Sequence, residues 1–126
     1  MAARIRRSVY SLPANSTTLT WYRRAIGALK ALPRSQPGSW EFMAACHGIS
    51  SSVPVPAAAS GFWNQCQHQT WFFLSWHRGY IAAFEALIAD QVVKLGGPAN
   101  WALPYWNYSD SANPQARRLP PAFRNR

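Results

Sequence analysis

Apolar side chains recur at helical spacing in three stretches of the chain. Leu19, Tyr22, Ile26 and Leu29 form one stripe, which predicts a first helix opening at Thr17 or Thr18 and stopped by Pro33. Trp40, Met43, Ala44 and His47 share a face of a shorter second helix, with Ser39 as its cap and Gly48 as its stop. The third is the longest: Ser75 is placed to cap it, Gly96-Gly97-Pro98 ends it, and His77, Tyr80, Ile81, Phe84 and Ile88 line one side. Between the second and third lies "ISSSVPVPAAASG", a loop by its proline and serine content. Beyond Pro98 an aromatic loop leads into an irregular, proline-rich tail over residues 109–126. The pattern predicts a single all-α domain spanning 1–126 with long irregular loops and no internal repeat.

Composition narrows the class. Hydrophobic residues make up 48% of the 126, with seven tryptophans, which is the make-up of a folded chain with a modest core. No apolar run reaches the ~18 residues that a membrane span needs. The arginines of "MAARIRRSVYSLPANS" are followed by none of the apolar stretch that a signal peptide requires. Cytoplasm is therefore the default expectation, with export left open. The formal charge of +9 raises the question of nucleic acid. Its arginines gather at the two ends, Arg4, Arg6 and Arg7 against Arg117, Arg118, Arg124 and Arg126, and the aromatics between them are spaced as a core rather than a stacking platform. That footprint disfavours nucleic acid as a partner. An acidic segment belonging elsewhere would explain the imbalance equally well.

Chemistry concentrates in the middle. His47, His68 and His77 are the only histidines, and both cysteines, Cys46 and Cys66, lie beside or between them. Nine residues of continuous helix rotate by about 900°, which would put His68 and His77 on opposite faces roughly 13 Å apart. If the two meet, His68 must sit in a loop that folds back over the start of the helix carrying His77. Taken singly, a histidine on an apolar face is more often a hydrogen-bonded core residue, and one at a helix end often just favours the negative end of the dipole. Three of them in a segment with few other polar groups suit a metal ion: zinc, copper, iron or nickel.

The run "HQTWFFLSWHRGYIAAFE" resembles the first copper-site motif of tyrosinases and related polyphenol oxidases, the type-3 copper proteins. The match falls on His68, Trp76, His77, Arg78, Tyr80, Phe84 and Glu85, and "WALPYWNYS" is similar to the family's following Leu-Pro-Tyr-Trp segment at Leu103, Pro104, Tyr105 and Trp106. His47 matches the family's first ligand. The chain departs from the family at Ser75, where proline is frequent, and at Asn107-Tyr108, where Asp-Trp is common.

The resemblance implies an incomplete tyrosinase-like four-helix bundle, the part that carries the first copper, with one ion on His47, His68 and His77. It implies an oxidoreductase that turns mono- or o-diphenols into quinones with dioxygen. The second copper of such an enzyme takes three further histidines, which this sequence lacks, so a fragment, a truncated product or a half that assembles with itself or with a C-terminal partner chain is expected. A non-catalytic copper-binding or assembly module is the alternative. Cys66, two residues before His68, stands where many relatives tether that imidazole through a thioether; a free thiol or a Cys46–Cys66 disulfide are the competing readings. Glu85 is expected either to steady a ligand histidine or to pair with Arg78.

Overall fold

The computed structural model describes residues 3–124; Arg126, one of the tail arginines, lies outside them. Three α-helices form: α1 (Thr17–Lys30), α2 (Trp40–His47) and α3 (Phe73–Lys94). The described residues contain no β-strand, only an isolated parallel bridge between Ser8 and Tyr105. The expected all-α class is what folds.

Local chemistry sets most helix ends. α1 opens at Thr17 as expected, with Ser16 as its cap, the hydroxyl accepting from the Leu19 N–H. Ser39 caps α2 as expected, accepting from Phe42 N–H at 3.0 Å. The start of α3 departs from expectation by three residues. Ser75 lies inside the first turn, where its hydroxyl donates to the Phe72 carbonyl, and the chain is instead turned by Thr70, whose Oγ1 accepts from the Phe72 N–H. A serine within the first turn can satisfy itself on a backbone carbonyl, and so stops being a cap. At the far end Gly96 takes φ +85° and Gly97 lies so close to Val92 and Trp21 that a β-carbon would collide with both. The two glycines thus have separate reasons, one conformational and one steric.

The main core joins α1 to α3: Ala25 and Leu29 against Ile88, Ala89 and Val92, closed by Trp101. Trp101 stacks on Tyr22 with the rings 6.1 Å apart and donates its indole N–H to the Thr18 carbonyl. α2 covers the opposite end of α3. Trp40 meets Phe84 edge-on, and the Tyr80 hydroxyl donates to the Met43 carbonyl at 2.8 Å. The stripe expected on α3 is therefore shared between two neighbours, Tyr80 and Phe84 facing α2 and Ile88 facing α1. Ile81 does not belong to it and remains 43% exposed. A smaller core of Phe42, Ala45, Ala59 and Trp63 lies under the loop after α2.

The tail is irregular over residues 109–124 apart from a short 3-10 turn at Pro121–Phe123. It is nevertheless tied to the domain. Trp106 donates its indole N–H to the Ala116 carbonyl, and the Tyr10 hydroxyl lies against the carbonyls of Gln115 and Arg118.

Candidate metal centre

The loop after α2 returns to the helix it left. Asn64 N–H donates to the Ala45 carbonyl at 2.9 Å and Gln65 N–H to the Cys46 carbonyl at 3.0 Å. These are carbonyls of the last turn of α2, which have no partner within the helix. Asn64, at φ +57°, also accepts from the Ile49 N–H through its side-chain oxygen at 2.7 Å. Cys66 and His68 are thereby delivered beside His47, the last residue of α2. Gln69, at φ +56°, then redirects the chain toward α3, and His77 arrives in the second turn of that helix. The fold-back expected for His68 occurs as the helix geometry demanded.

The three imidazoles form a nearly equilateral triangle, with ring centroids 5.3, 5.5 and 5.4 Å apart for His47–His68, His47–His77 and His68–His77. One potential ligand atom from each of His47, Cys66, His68 and His77 falls within 4.8 Å of the others. His77 Nδ1 lies 2.7 Å from the Phe73 carbonyl one turn earlier. A carbonyl can only accept, so Nδ1 carries the proton and Nε2 offers its lone pair. Cys66 Sγ lies 3.3 Å from both His77 Nε2 and His68 Nε2. Both cysteines are free, so the disulfide reading falls away.

Aromatic side chains support the triangle from behind. Trp76 and Tyr80 stack at 5.1 Å, and His47 rests against both at 6.0 Å. Phe73 lies 4.3 Å from the His77 ring and 5.9 Å from that of His68. Burial raises the pKa of the Tyr80 phenol, which keeps it a donor to Met43. Burial likewise raises that of the Cys46 thiol, which packs into the smaller core as a neutral side chain. The site is not enclosed: His77 and Cys66 are half-buried, while His47 and His68 are exposed.

Glu85 takes neither of its expected partners. Its carboxylate accepts from the Arg6 guanidinium, with Nε 3.1 and 3.0 Å from the two oxygens, and from the Leu103 N–H at 2.9 Å. The hydrogen bonds from Arg6 are the largest influence holding its pKa below the ordinary glutamate value. It ties the N-terminal arm and the Leu-Pro-Tyr-Trp segment to α3. Arg78 is exposed, and the described ion pairs do not include it. With the helix expected to start after Ser75, the Phe73 carbonyl fell outside it, and its place one turn before His77 was not legible. Nothing local announced Arg6.

An imidazole set with a thiol beside it fits copper by donor chemistry, and equally fits zinc. Among the described residues, no helix is long and apolar enough to cross a membrane.

Residues 37–126 match the family model for the common central domain of tyrosinase. The chain is 40% identical to tyrosinase HcTyr1 of Hahella sp. (strain CCB-MM4), covering 94% of this chain and 30% of that protein. It is 29% identical to a chloroplastic polyphenol oxidase of Spinacia oleracea, covering 96% of this chain and 18% of the other, and 30% identical to aureusidin synthase of Antirrhinum majus, covering 95% and 20%. The chain thus spans less than a third of the length of these relatives.

Proposed function

From the membership of this chain in the tyrosinase family, we propose that it is the first-copper portion of a copper-dependent phenol oxidase. His47, His68 and His77 hold a single copper ion, and the substrates are mono- or o-diphenols together with dioxygen. The observation that carries this reading is the triangle of imidazoles, with ring centroids 5.3–5.5 Å apart on three separate segments. Copper, when bound, supplies one-electron redox chemistry and a place for dioxygen.

The chain's own contribution is positioning. The Phe73 carbonyl holds the His77 proton on Nδ1 and so fixes which nitrogen faces the metal. The Trp76–Tyr80 stack keeps the His47 ring from turning away, and Tyr80 is itself anchored on α2 through Met43. The Phe73 ring packs against both His68 and His77 and steadies them. The exposed flank at His47 and His68 is the side from which a planar phenol can approach, and where a second set of ligands would have to dock.

All three histidines of the chain are used in one triangle, so the chain furnishes ligands for one ion. Turnover then depends on a second histidine set beyond those of residues 1–126. The alternative, a copper-binding module that does no oxidation itself, rests on the same count. Copper titration of the purified chain separates outcomes: one equivalent bound, lost on replacing His68 and His77, supports the site. Catechol oxidation that appears only after adding a segment with three further histidines supports the oxidase over the module. Two equivalents bound by the chain alone would contradict both.

A further inference from the structure

Cys66 sits where a ligand would sit, rather than where a spectator would. Its sulfur is 3.3 Å from His68 Nε2 and 3.3 Å from His77 Nε2. The proton on His77 Nδ1 is committed to Phe73, so His77 Nε2 presents a lone pair to that sulfur. A thiol has one hydrogen and can satisfy one such nitrogen at most. With His47 the group offers four donors to one point, all within 4.8 Å of one another. Bonds of about 2.0–2.1 Å to nitrogen and about 2.3 Å to sulfur place the two atoms about 3.5 Å apart around a tetrahedral ion. The spacing found here differs from that by a few tenths of an ångström.

We propose that in the reduced chain Cys66 is a fourth ligand, completing a closed His3Cys site for a tetrahedral d10 ion, zinc(II) or copper(I). The thiol proton leaves to solvent as the ion binds, and no electron transfer is involved. Three imidazoles and one thiolate satisfy such an ion fully, and no position then remains open for dioxygen. The reduced site is a holding site, and withdrawal of the sulfur is what opens it. This inference rests on the convergence of the same three histidines proposed for copper, but it assigns the sulfur a separate role.

The test uses the full chain kept reduced and loaded with cobalt(II) as a spectroscopic stand-in for zinc. The wild type is expected to show an intense near-ultraviolet sulfur-to-cobalt charge-transfer band, and Cys46→Ala to retain it. Cys66→Ala is expected to lose the band, yet still bind cobalt and zinc through its histidines, about 10–100-fold more weakly or worse. Zinc should also shield one of the two wild-type thiols from labelling, a readout that needs no variant. Metal binding without the band, with both thiols labelled and equal affinity in Cys66→Ala, would overturn the thiolate ligand and leave the histidine site standing. No metal binding by the wild type would overturn both.

Discussion

His77 reaches back one helical turn to place its Nδ1 2.7 Å from the Phe73 carbonyl. That single relationship decides which face of the ring can meet a metal, because it consumes the only proton a neutral imidazole has. The helix thus does what a carboxylate or a second side chain does in many metal sites, using backbone alone.

His77→Ala and His68→Ala should each lower copper affinity by at least about 100-fold, as removal of a ligand exceeds the 10–100-fold cost of disturbing one that merely supports it. Helical content should stay within error of the wild type, because neither ring belongs to the α1–α3 core. Calorimetric titration beside circular dichroism checks this. Unchanged affinity in either variant contradicts the site.

Cys66 bears on a second outcome. In air, copper loading should join Cys66 sulfur to a ring carbon of His68, removing one hydrogen from each as dioxygen takes up two electrons and two protons. Intact mass should fall by about two hydrogens, and one thiol should be lost to labelling. A disulfide with Cys46 would show the same mass loss but would cost both thiols. Dithiothreitol separates them: recovery of both thiols excludes the tether.

Glu85→Ala should destabilise the fold by about 1–2 kcal/mol, since it removes a charged acceptor shared by Arg6 and the Leu103 N–H. Arg6 lowers the Glu85 pKa in the folded state. The stability this contributes is complete above the ordinary carboxylate range and is lost as pH falls through the lowered folded value. Urea midpoints followed from neutral to acid should therefore drop less steeply in the variant than in the wild type.

The apolar surface gives a fourth expectation. Trp71 is 100% exposed, with Phe72 at 66% and Leu74 at 77% beside it. Such contiguous surface favours association. Sedimentation should show concentration-dependent self-association, and replacing Trp71 and Leu74 with polar residues should reduce it. A monomer at all concentrations in the wild type would sink this. The row of His77, Tyr80, Ile81, Phe84 and Ile88 is not that surface: α2 covers Tyr80 and Phe84, and Ile88 is fully buried against α1.

What the sequence made legible was local. Ser39 and Gly48 bound α2 at the residues expected, because cap and stop both act within one turn. The return of His68 followed from helix geometry once His68 and His77 were required to meet. The start of α3 was missed because Ser75 looks like a cap in isolation, whereas Thr70 turns the chain five residues earlier. Ile81 was misplaced because α3 serves two neighbours in succession, and its buried row drifts from Tyr80 through Phe84 and Ile88 to Val92. Arg6 and Glu85 stand 79 residues apart, and no spacing rule reaches that far.

The return of Asn64 and Gln65 to the end of α2 has a bearing on how this chain can vary. Ile49 and Asn64 are clipped together, so residues 50–63 leave and rejoin the domain at one point. The exposed Ser51–Ser52 stretch lies outside the smaller core that Ala59 and Trp63 anchor. Lengthening it should cost only about 0.6 kcal/mol per doubling of the loop. Sequence could therefore be added there, even a whole appended module, while Cys66 and His68 keep their register with His47.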